Sequence, residues 1–307
     1  MDGIRRGHST FPFVHFTAMT ALADTDRIVL DTNIVRGLIE RRPDSLNVPK
    51  LLRLKGAHPV SIADGAFGEL LGWLRTAKPD VLRRVKPTLE RLDPVLDGEF
   101  PIIVGGSQRW AMIGVIEWPV RSRADESIVQ NASWRHLKSV KDRYSLTKKW
   151  IQFRDTRGRV VTLTPMPPDS NLKGSEDEWR SDVIELPAGQ ELTSATEERL
   201  VRLRREHVAR ALGIGPLTRG LDRIDLHSHL IARRQREASR KTFNRPKEPS
   251  SNDWFDADLL VYVVLPAVIC TEDMRFIRAV RQLPHEDRFR VMNLSDLYRW
   301  LETGVPS

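Results

Sequence analysis

The sequence predicts an α/β fold in which a central, mostly parallel sheet is interrupted by a long, largely helical insertion. Short apolar runs end in polar residues and pass at once into helical patterns, as in IVLDTN, VSIADG and VICTED. Such strand-to-helix units are typical of a parallel sheet flanked by helices. Residues 101–250 differ, because they contain proline- and glycine-rich breaks and two basic helical patterns.

The elements follow in order from these patterns. We expect a strand at 27–31 and a helix at about 33–41, then an extended segment at 60–63 and a helix capped by Asp64. Near the carboxyl end, NDWFDADLLVYVVL is predicted to be helical, PAVICTED to contain a buried strand, and FRVMNLSDLYRWLE to form a short strand and a helix. The predicted organisation is an amino-terminal extension at 1–24, a sheet domain built from 25–100 and 251–307, and an insertion at 101–250.

Composition limits the class of protein. A chain of 307 residues with 40% hydrophobic content is long enough to bury a core. The single cysteine, Cys270, excludes an intramolecular disulfide and suits a reducing compartment. No segment approaches the ~20 apolar residues of a membrane span, and the first residues are too interrupted by polar groups for a secretion signal. We therefore expect a globular cytoplasmic protein without membrane association.

The positive charge is concentrated in one stretch. Residues 197–247 contain 14 Lys and Arg against six Asp and Glu, an excess equal to the whole net charge of +8. This favours a polyanionic partner, although a solvated helix face is the alternative. The predicted nucleic-acid contacts are Arg202, Arg204, Arg205, Arg233, Arg234, Arg236 and Lys241. In the preceding basic stretch, Tyr144, Trp150 and Phe153 are either base-stacking groups or core aromatics.

Acidic residues lie where the predicted strands end. Asp31 ends the first strand, Glu69 lies one turn into the next helix, and Asp273 follows the last buried strand. Asp253 and Asp256 open another helix and, being three apart, share one of its faces. Because parallel strands form their ligand crevice at the carboxyl ends, these acids are expected to converge. For Asp31 a purely structural role as a helix N-cap is the alternative.

The series DTN, GELL, NDWFDADLL and CTED, in this order and on these elements, resembles the PIN-domain (VapC-like) ribonuclease family. The resemblance covers roughly residues 25–100 and 250–302 and implies a three-layer α/β/α domain. It implies Asp31, Glu69, Asp256 and Asp273 as catalytic metal ligands, with Asp253 as an alternative or partner for Asp256. It also implies supporting roles for Thr32, Asn33 and Thr271. The chain departs from a compact PIN domain in the 187 positions from Glu69 to Asp256, which leaves the substrate open.

Oxygen ligands without nearby Cys or His favour Mg²⁺ or Mn²⁺ over zinc. Such ions activate water against a phosphodiester, so no protein nucleophile is needed. The resemblance implies an endoribonuclease that prefers RNA to DNA and leaves a 5′-phosphate and a 3′-hydroxyl, acting as a toxin, defence or RNA-processing enzyme. Whether a protein inhibitor (antitoxin) controls it and whether it forms a homodimer are left open. The alternative is a PIN-like module that binds nucleic acid or protein without cutting.

A second motif points elsewhere. Asp225, His227 and His229 in IDLHSHL resemble the opening metal motif of TIM-barrel amidohydrolases, provided that the segment is a strand. That motif opens a barrel of about 250 residues, and only 78 residues follow His229. We therefore expect packing, surface or phosphate-binding roles for these histidines.

Overall fold

The computed structural model describes residues 27–103, 123–142, 151–154, 158, 160–163, 193–212, 222–239, 259–260, 262–263 and 267–304. The predicted amino-terminal extension at 1–24 lies outside these ranges, as do Tyr144 and Trp150. For Phe153 only the backbone is described.

The described elements alternate largely as the sequence predicts. The chain begins with β1 (Arg27–Leu30), α1 (Thr32–Glu40), α2 (Val48–Leu54), β2 (Val60–Ile62), α3 (Asp64–Thr76), α4 (Pro79–Glu90) and α5 (Arg123–Lys138). It continues with β3 (Ile151–Arg154), β4 (Val160–Leu163), α6 (Ser194–Leu212) and α7 (Asp222–Ser239). It ends with β5 (Ala267–Cys270), α8 (Met274–Arg281), a 3₁₀ helix (Glu286–Arg290), β6 (Val291–Met292) and α9 (Leu294–Thr303).

The main sheet confirms the predicted α/β class. Its order is β2-β1-β5-β6, and each neighbouring pair is parallel. At the end of β1, Leu30 lies opposite Ile62 of β2 and Cys270 of β5. The chain moves from β1 to β2 on one side and from β5 to β6 on the other. The strand order therefore reverses at β1 and β5, where open α/β sheets bind their ligands.

The inner strands are buried along their whole length. Every residue of β1, RIVL, and of β5, AVIC, is buried. Continuous apolar runs of this kind are typical of parallel strands that are covered on both faces. Ile102 extends this sheet by a parallel bridge to Ile62, whereas β3 and β4 form a separate antiparallel pair.

The helices pack in two groups of contacts. In the first group α1 contacts α3 and α4, and α5 contacts α3 and α4. In the second, α2 contacts α9, α9 contacts β6, and α8 contacts both β6 and α7. None of the helices in the described part of the chain combines the length and the apolar composition that crossing a bilayer requires.

Part of the predicted insertion shares the core of the sheet. Trp134 and Leu137 of α5, and Leu226 and Leu230 of α7, belong to the same buried cluster as Ile28 of β1. The two basic patterns predicted to be helical are α6 and α7, which pack against each other. The insertion bounds stay a prediction, but α5 and α7 contribute side chains to the core around β1.

Two local expectations differ from the structure. Asp64 is the first residue of α3 rather than its N-cap, a position that Ala63 occupies. The hydroxyl of Tyr262 donates to the Asp64 carboxylate, so this acid is held by a distant aromatic residue. The segment IDLHSHL belongs to α7 and is not a strand. His227 and His229 are two positions apart in this helix, which turns about 100° per residue, so they do not share a face.

Candidate functional site

The candidate site lies at the carboxyl edge of β1 and β5. Asp31 directly follows β1, and its amide donates to the Cys270 carbonyl at 3.0 Å. Thr271 directly follows β5, and its amide donates to the Met292 carbonyl of β6 at 3.0 Å. These bonds continue the strand pairing by one residue, so the first polar residue after each strand is held in register.

Asp31 is both a cap and a buried hydrogen-bonded acid. It precedes α1 with extended backbone angles, and its Oδ1 accepts from the Thr32 amide at 2.6 Å. Its Oδ2 accepts from Asn33 Nδ2 at 2.9 Å and from Thr271 Oγ1 at 2.8 Å. Ordinary N-caps bond the second or third helical amide, whereas this one bonds the first. Asp31 thus caps α1, and its Oδ2 accepts hydrogen bonds from residues that follow β1 and β5.

Burial raises the pKa of Asp31 above its ordinary value of 3.8, and the nearby charge of Asp273 raises it further. Hydrogen bonds from Thr271 and Thr32 act in the opposite direction but do not cancel the effect of burial. Only 8% of the residue is exposed, so water solvates the charged form poorly. In the absence of a cation, the ionised form of Asp31 is therefore disfavoured.

Thr32 joins Asp31 to a second acid. Its amide donates to Asp31, and its hydroxyl donates to Glu69 Oε2. Glu69 lies in α3, which packs against α1. Burial raises the pKa of Glu69, the Thr32 hydroxyl lowers it, and the charge of Asp31 raises it. The two predicted ligands on α3 and at the end of β1 are therefore close enough to repel each other when both are ionised.

Asn33 and Thr271 hold the two strand ends together. Asn33 Nδ2 donates to Thr271 Oγ1 at 2.9 Å as well as to Asp31, and Asn33 Oδ1 accepts from the Glu272 amide at 2.9 Å. The Thr271 hydroxyl also accepts from the Asp273 amide at 3.1 Å, and Thr271 is fully buried. All three residues predicted to support the acids therefore contact them directly, since Thr32 bonds Asp31 and Glu69.

Asp273 begins the next helix beside this cluster. Its Oδ1 accepts from the amides of Arg275 and Phe276, at 2.8 and 3.0 Å, which makes it the N-cap of α8. Its charge acts on Asp31, as the raised pKa of Asp31 shows. The structure thus brings together Asp31, Glu69 and Asp273 among the predicted ligands, with Asp273 also serving as a cap.

Two residues of this edge are not found by the sequence argument. Glu272 accepts from the Leu294 amide at 3.0 Å and so holds the start of α9 to the end of β5. Its position between Thr271 and Asp273, directly after β5, is a sequence signal that identifies it. Tyr262 is buried and bonds Asp64 at the end of β2, which pairs with β1. Nothing in the apolar run LLVYVVL indicates that contact.

The remaining predicted ligands, Asp253 and Asp256, lie outside the described residues. Among the described residues, no group of three or more His, Cys, Asp or Glu side chains is arranged to hold a metal ion. The acids that the structure does bring together offer oxygen donors alone, the type that Mg²⁺ and Mn²⁺ prefer. The donor chemistry of Asp31, Glu69 and Asp273 thus suits the predicted cation.

The predicted nucleic-acid contacts on α6 and α7 have different surroundings. Arg202 is exposed, whereas Arg205 binds the buried carboxylate of Asp225 through two guanidinium nitrogens. Arg233 Nη2 donates to Gln282 Oε1 at 2.6 Å. The structure gives Arg205 a clear role in joining α6 to α7. Among the other predicted contacts, Arg204 is half-buried. The side chains of Arg234 and Arg236 lie outside the described part of the chain, and so does the whole of Lys241.

The histidines of the second motif are packed between helices. His227 is 1% exposed, and His229 Nδ1 lies 3.6 Å from the Glu197 carboxylate of α6. Asp225, the third residue of the motif, is the partner of Arg205. Asp225 and His229 therefore meet α6, and His227 is buried on another side of α7, which suits a packing role among the roles expected for the histidines.

No protein-family model matches this chain, and no match was found among curated proteins or solved structures. The candidate site is therefore defined by its own residues. It consists of two acids joined by Thr32, with an asparagine and a threonine holding the first of these acids between the ends of β1 and β5.

Proposed function

We propose that the chain is a metal-dependent endoribonuclease of the PIN type, with Asp31 and Glu69 at its catalytic centre. The observation that supports this most directly is the pair of acids linked by Thr32, both with a pKa raised chiefly by burial. Two repelling carboxylates at one sheet edge destabilise the folded chain. A bound cation would offset that cost, which is the reason for placing a cation site at these two acids.

The topology supports the finer proposal of a PIN-like, three-layer domain. The parallel order β2-β1-β5-β6 reverses at the strands that carry the site. The two groups of helix contacts, one around α1 and the other around α8 and α9, suit helices on both faces of the sheet. The site and the fold thus agree on where a ligand would bind.

The residues have separate tasks in this proposal. Asp31, Glu69 and Asp273 supply carboxylate oxygens, and the sequence adds Asp256, with Asp253 as its alternative. Thr271 and Asn33 fix the orientation of Asp31, and Thr32 fixes both Asp31 and Glu69, as supporting groups around a metal site must. When bound, Mg²⁺ or Mn²⁺ lowers the pKa of a coordinated water and neutralises charge on a phosphodiester.

A nucleic acid is the proposed substrate because a basic stretch accompanies the acidic site. The net excess of positive charge lies in 197–247, which includes α6 and α7, and such a surface attracts phosphate backbones. The preference for RNA over DNA comes from the PIN resemblance. A toxin, defence or processing role, regulation by an antitoxin, homodimerisation and a cytoplasmic location remain predictions.

A cleavage assay with matched variants tests the proposal. End-labelled RNA and DNA of the same sequences are incubated with the full chain in Mg²⁺, in Mn²⁺ and in EDTA. We expect metal-dependent RNA cleavage that falls at least ~100-fold in Asp31→Asn and in Glu69→Gln, because each ligand contributes to several kcal/mol of charge stabilisation. Asp44→Asn, an exposed acid between α1 and α2, serves as the control and should cleave like the wild type.

The outcomes separate the two functions. Circular dichroism melts of each variant establish that lost cleavage is not lost folding. Cleavage that persists in EDTA, or in both site variants, would contradict the proposed centre. Metal-independent RNA binding without any cleavage by the wild type would instead favour the non-catalytic binding module.

A further inference from the structure

We propose that the exposed side of α8 is a phosphate-binding ridge that guides the RNA strand toward the acidic site. The α8 ridge consists of Arg275, Arg278 and Gln282, with Arg233 of α7 at its far end. None of the α8 residues belongs to the predicted basic stretch. The inference rests on the proposed function, since it assigns the path of the same substrate.

The ridge starts at the candidate site. Asp273 caps α8 and hydrogen-bonds through its amide to Thr271, whose hydroxyl donates to Asp31. Arg275 is therefore two residues from a predicted ligand. Two hydrogen bonds, from the Asp273 amide to Thr271 and from the Thr271 hydroxyl to Asp31, therefore connect the start of the ridge to the predicted ligands.

Arg275 and Arg278 of α8 and Gln282, the C-cap of this helix, share one face. Positions 275, 278 and 282 are separated by three and four residues, the spacing of neighbours along one side of a helix, and span about 10 Å. All three are exposed, whereas Phe276, Ile277 and Val280 are buried. The apolar side of α8 thus faces the core and its basic side faces solvent.

Two arginines of the ridge, Arg275 and Arg278, have no partner in the described part of the chain. The guanidinium groups of Arg275 and Arg278 make no hydrogen bond or ion pair with a described residue. The third arginine of the helix, Arg281, donates instead to Asp296 at 2.7 Å. Arg275 also lies in the first turn, where the helix dipole disfavours positive charge. Arg278 lies in the last turn, where the dipole favours positive charge, so helix stability leaves Arg275 unexplained, whereas an anionic partner accounts for it.

The far end of the ridge meets the predicted basic helix. Arg233 of α7 donates to Gln282 at 2.6 Å, which places its guanidinium one turn beyond Arg278. The ridge thus leads from the acidic site to a helix of the positively charged stretch. An RNA backbone suits this row better than an acidic peptide because it has to pass through the phosphodiester-cleaving site at one end.

A salt titration of RNA binding tests the ridge without relying on cleavage. Affinity of the full chain for a fluorescent single-stranded RNA is measured in EDTA at several salt concentrations. Each lost phosphate contact with a single strand lowers the slope of log K against log salt by about 0.7. We expect Arg275→Gln/Arg278→Gln to lower the slope by about 1.4 and to weaken binding by about 25-fold at 0.1 M salt.

The control is Arg83→Gln/Lys86→Gln on α4. These two residues are also exposed and three positions apart, so the control removes the same charge from another helix. It should leave the slope within the error of the wild type. Equal effects of the two double variants, or no RNA binding by the wild type, would overturn the ridge.

The test also distinguishes the ridge from the nuclease proposal. If the ridge variant binds weakly and the wild type never cleaves RNA in Mg²⁺ or Mn²⁺, the binding surface stands and the nuclease falls. If the wild type cleaves RNA and the ridge variant keeps its salt slope, the nuclease stands and the ridge falls.

Discussion

The hydroxyl of Thr271 offers the sharpest test of how the site is held. Thr271→Val keeps the shape of a fully buried side chain but removes the donor to Asp31 and the acceptor of the Asp273 amide. Asn33 Nδ2 loses one acceptor and keeps Asp31 Oδ2 at 2.9 Å. The variant therefore loses three hydrogen bonds: one to the Asp31 carboxylate, one from the Asp273 amide and one from the Asn33 side chain.

The magnitude follows from these three bonds. A hydrogen bond to a charged group contributes about 1.5–3 kcal/mol and each neutral one about 0.5–1.5 kcal/mol, so the free energy of unfolding at pH 7 should fall by about 2.5–6 kcal/mol. Urea denaturation followed by tryptophan fluorescence measures this in EDTA. The hydrogen bond from Thr271 stabilises the ionised form of Asp31 and so lowers its pKa. The loss of stability in Thr271→Val should therefore be smaller in acid, where Asp31 is protonated and carries no charge.

Thr88→Val is the matched control. Thr88 is 8% exposed in α4, and its side chain makes no hydrogen bond with any residue in the described ranges. The same loss of a hydroxyl should there change the free energy of unfolding by less than about 1 kcal/mol. If Thr271→Val and Thr88→Val lost the same stability, the hydrogen bonds of the Thr271 hydroxyl would not stabilise the fold.

Two further predictions concern acid titration of the metal-free protein, measured as urea midpoints between pH 3 and pH 8. An acid whose pKa is raised in the folded state stabilises the fold at pH values below its ordinary pKa, and this stabilisation is lost as the pH rises through the raised pKa. Asp31 and Glu69 are such acids, so Asp31→Asn and Glu69→Gln should each make the loss of stability above about pH 4 smaller than in the wild type. A slope that is unchanged in both variants would refute the coupled pair. The pKa of Asp97 shifts in the opposite direction. Burial raises it, but the Glu99 amide and the guanidinium of Arg27, whose Nη1 lies 2.7 Å from Asp97 Oδ2, together lower it below 3.8. The ionised Asp97 therefore stabilises the fold above pH 3.8, and this stabilisation is lost in acid. Asp97→Asn should be less stable than the wild type at pH 7, and its stability should fall less when the pH is lowered.

Local sequence patterns predicted the sheet well. The strands β1 and β5 are short apolar runs with polar residues immediately after them, and burial on both faces requires that pattern. The parallel direction of the strands also followed, because parallel neighbours require helical crossovers, which the sequence displays. The insertion bounds are harder to predict, since Trp134 and Leu226 have no local signal that they join the core around β1.

The capping of helices shows where local prediction fails. Asp64 has the residue type and position of an N-cap, but the hydroxyl of Tyr262, 198 positions away, binds its carboxylate. The segment IDLHSHL alternates as a strand would, but it lies in α7, where Asp225 meets Arg205 of α6. Both places contain a polar contact between distant residues, and short-range periodicity gives no indication of either contact.

By itself, the sequence determined which acids and hydroxyls end the strands, because chain order and hydrophobic period fix these residues at the carboxyl edge. Only the tertiary structure decided that Thr32 bonds Glu69, that Thr271 bonds Asp31, and that the basic face of α8 starts at Asp273. These contacts depend on distances between elements up to 240 positions apart. Burial is a property of that packing and is the largest cause of the raised pKa of Asp31 and of Glu69, so the fold rather than the local sequence accounts for both shifts.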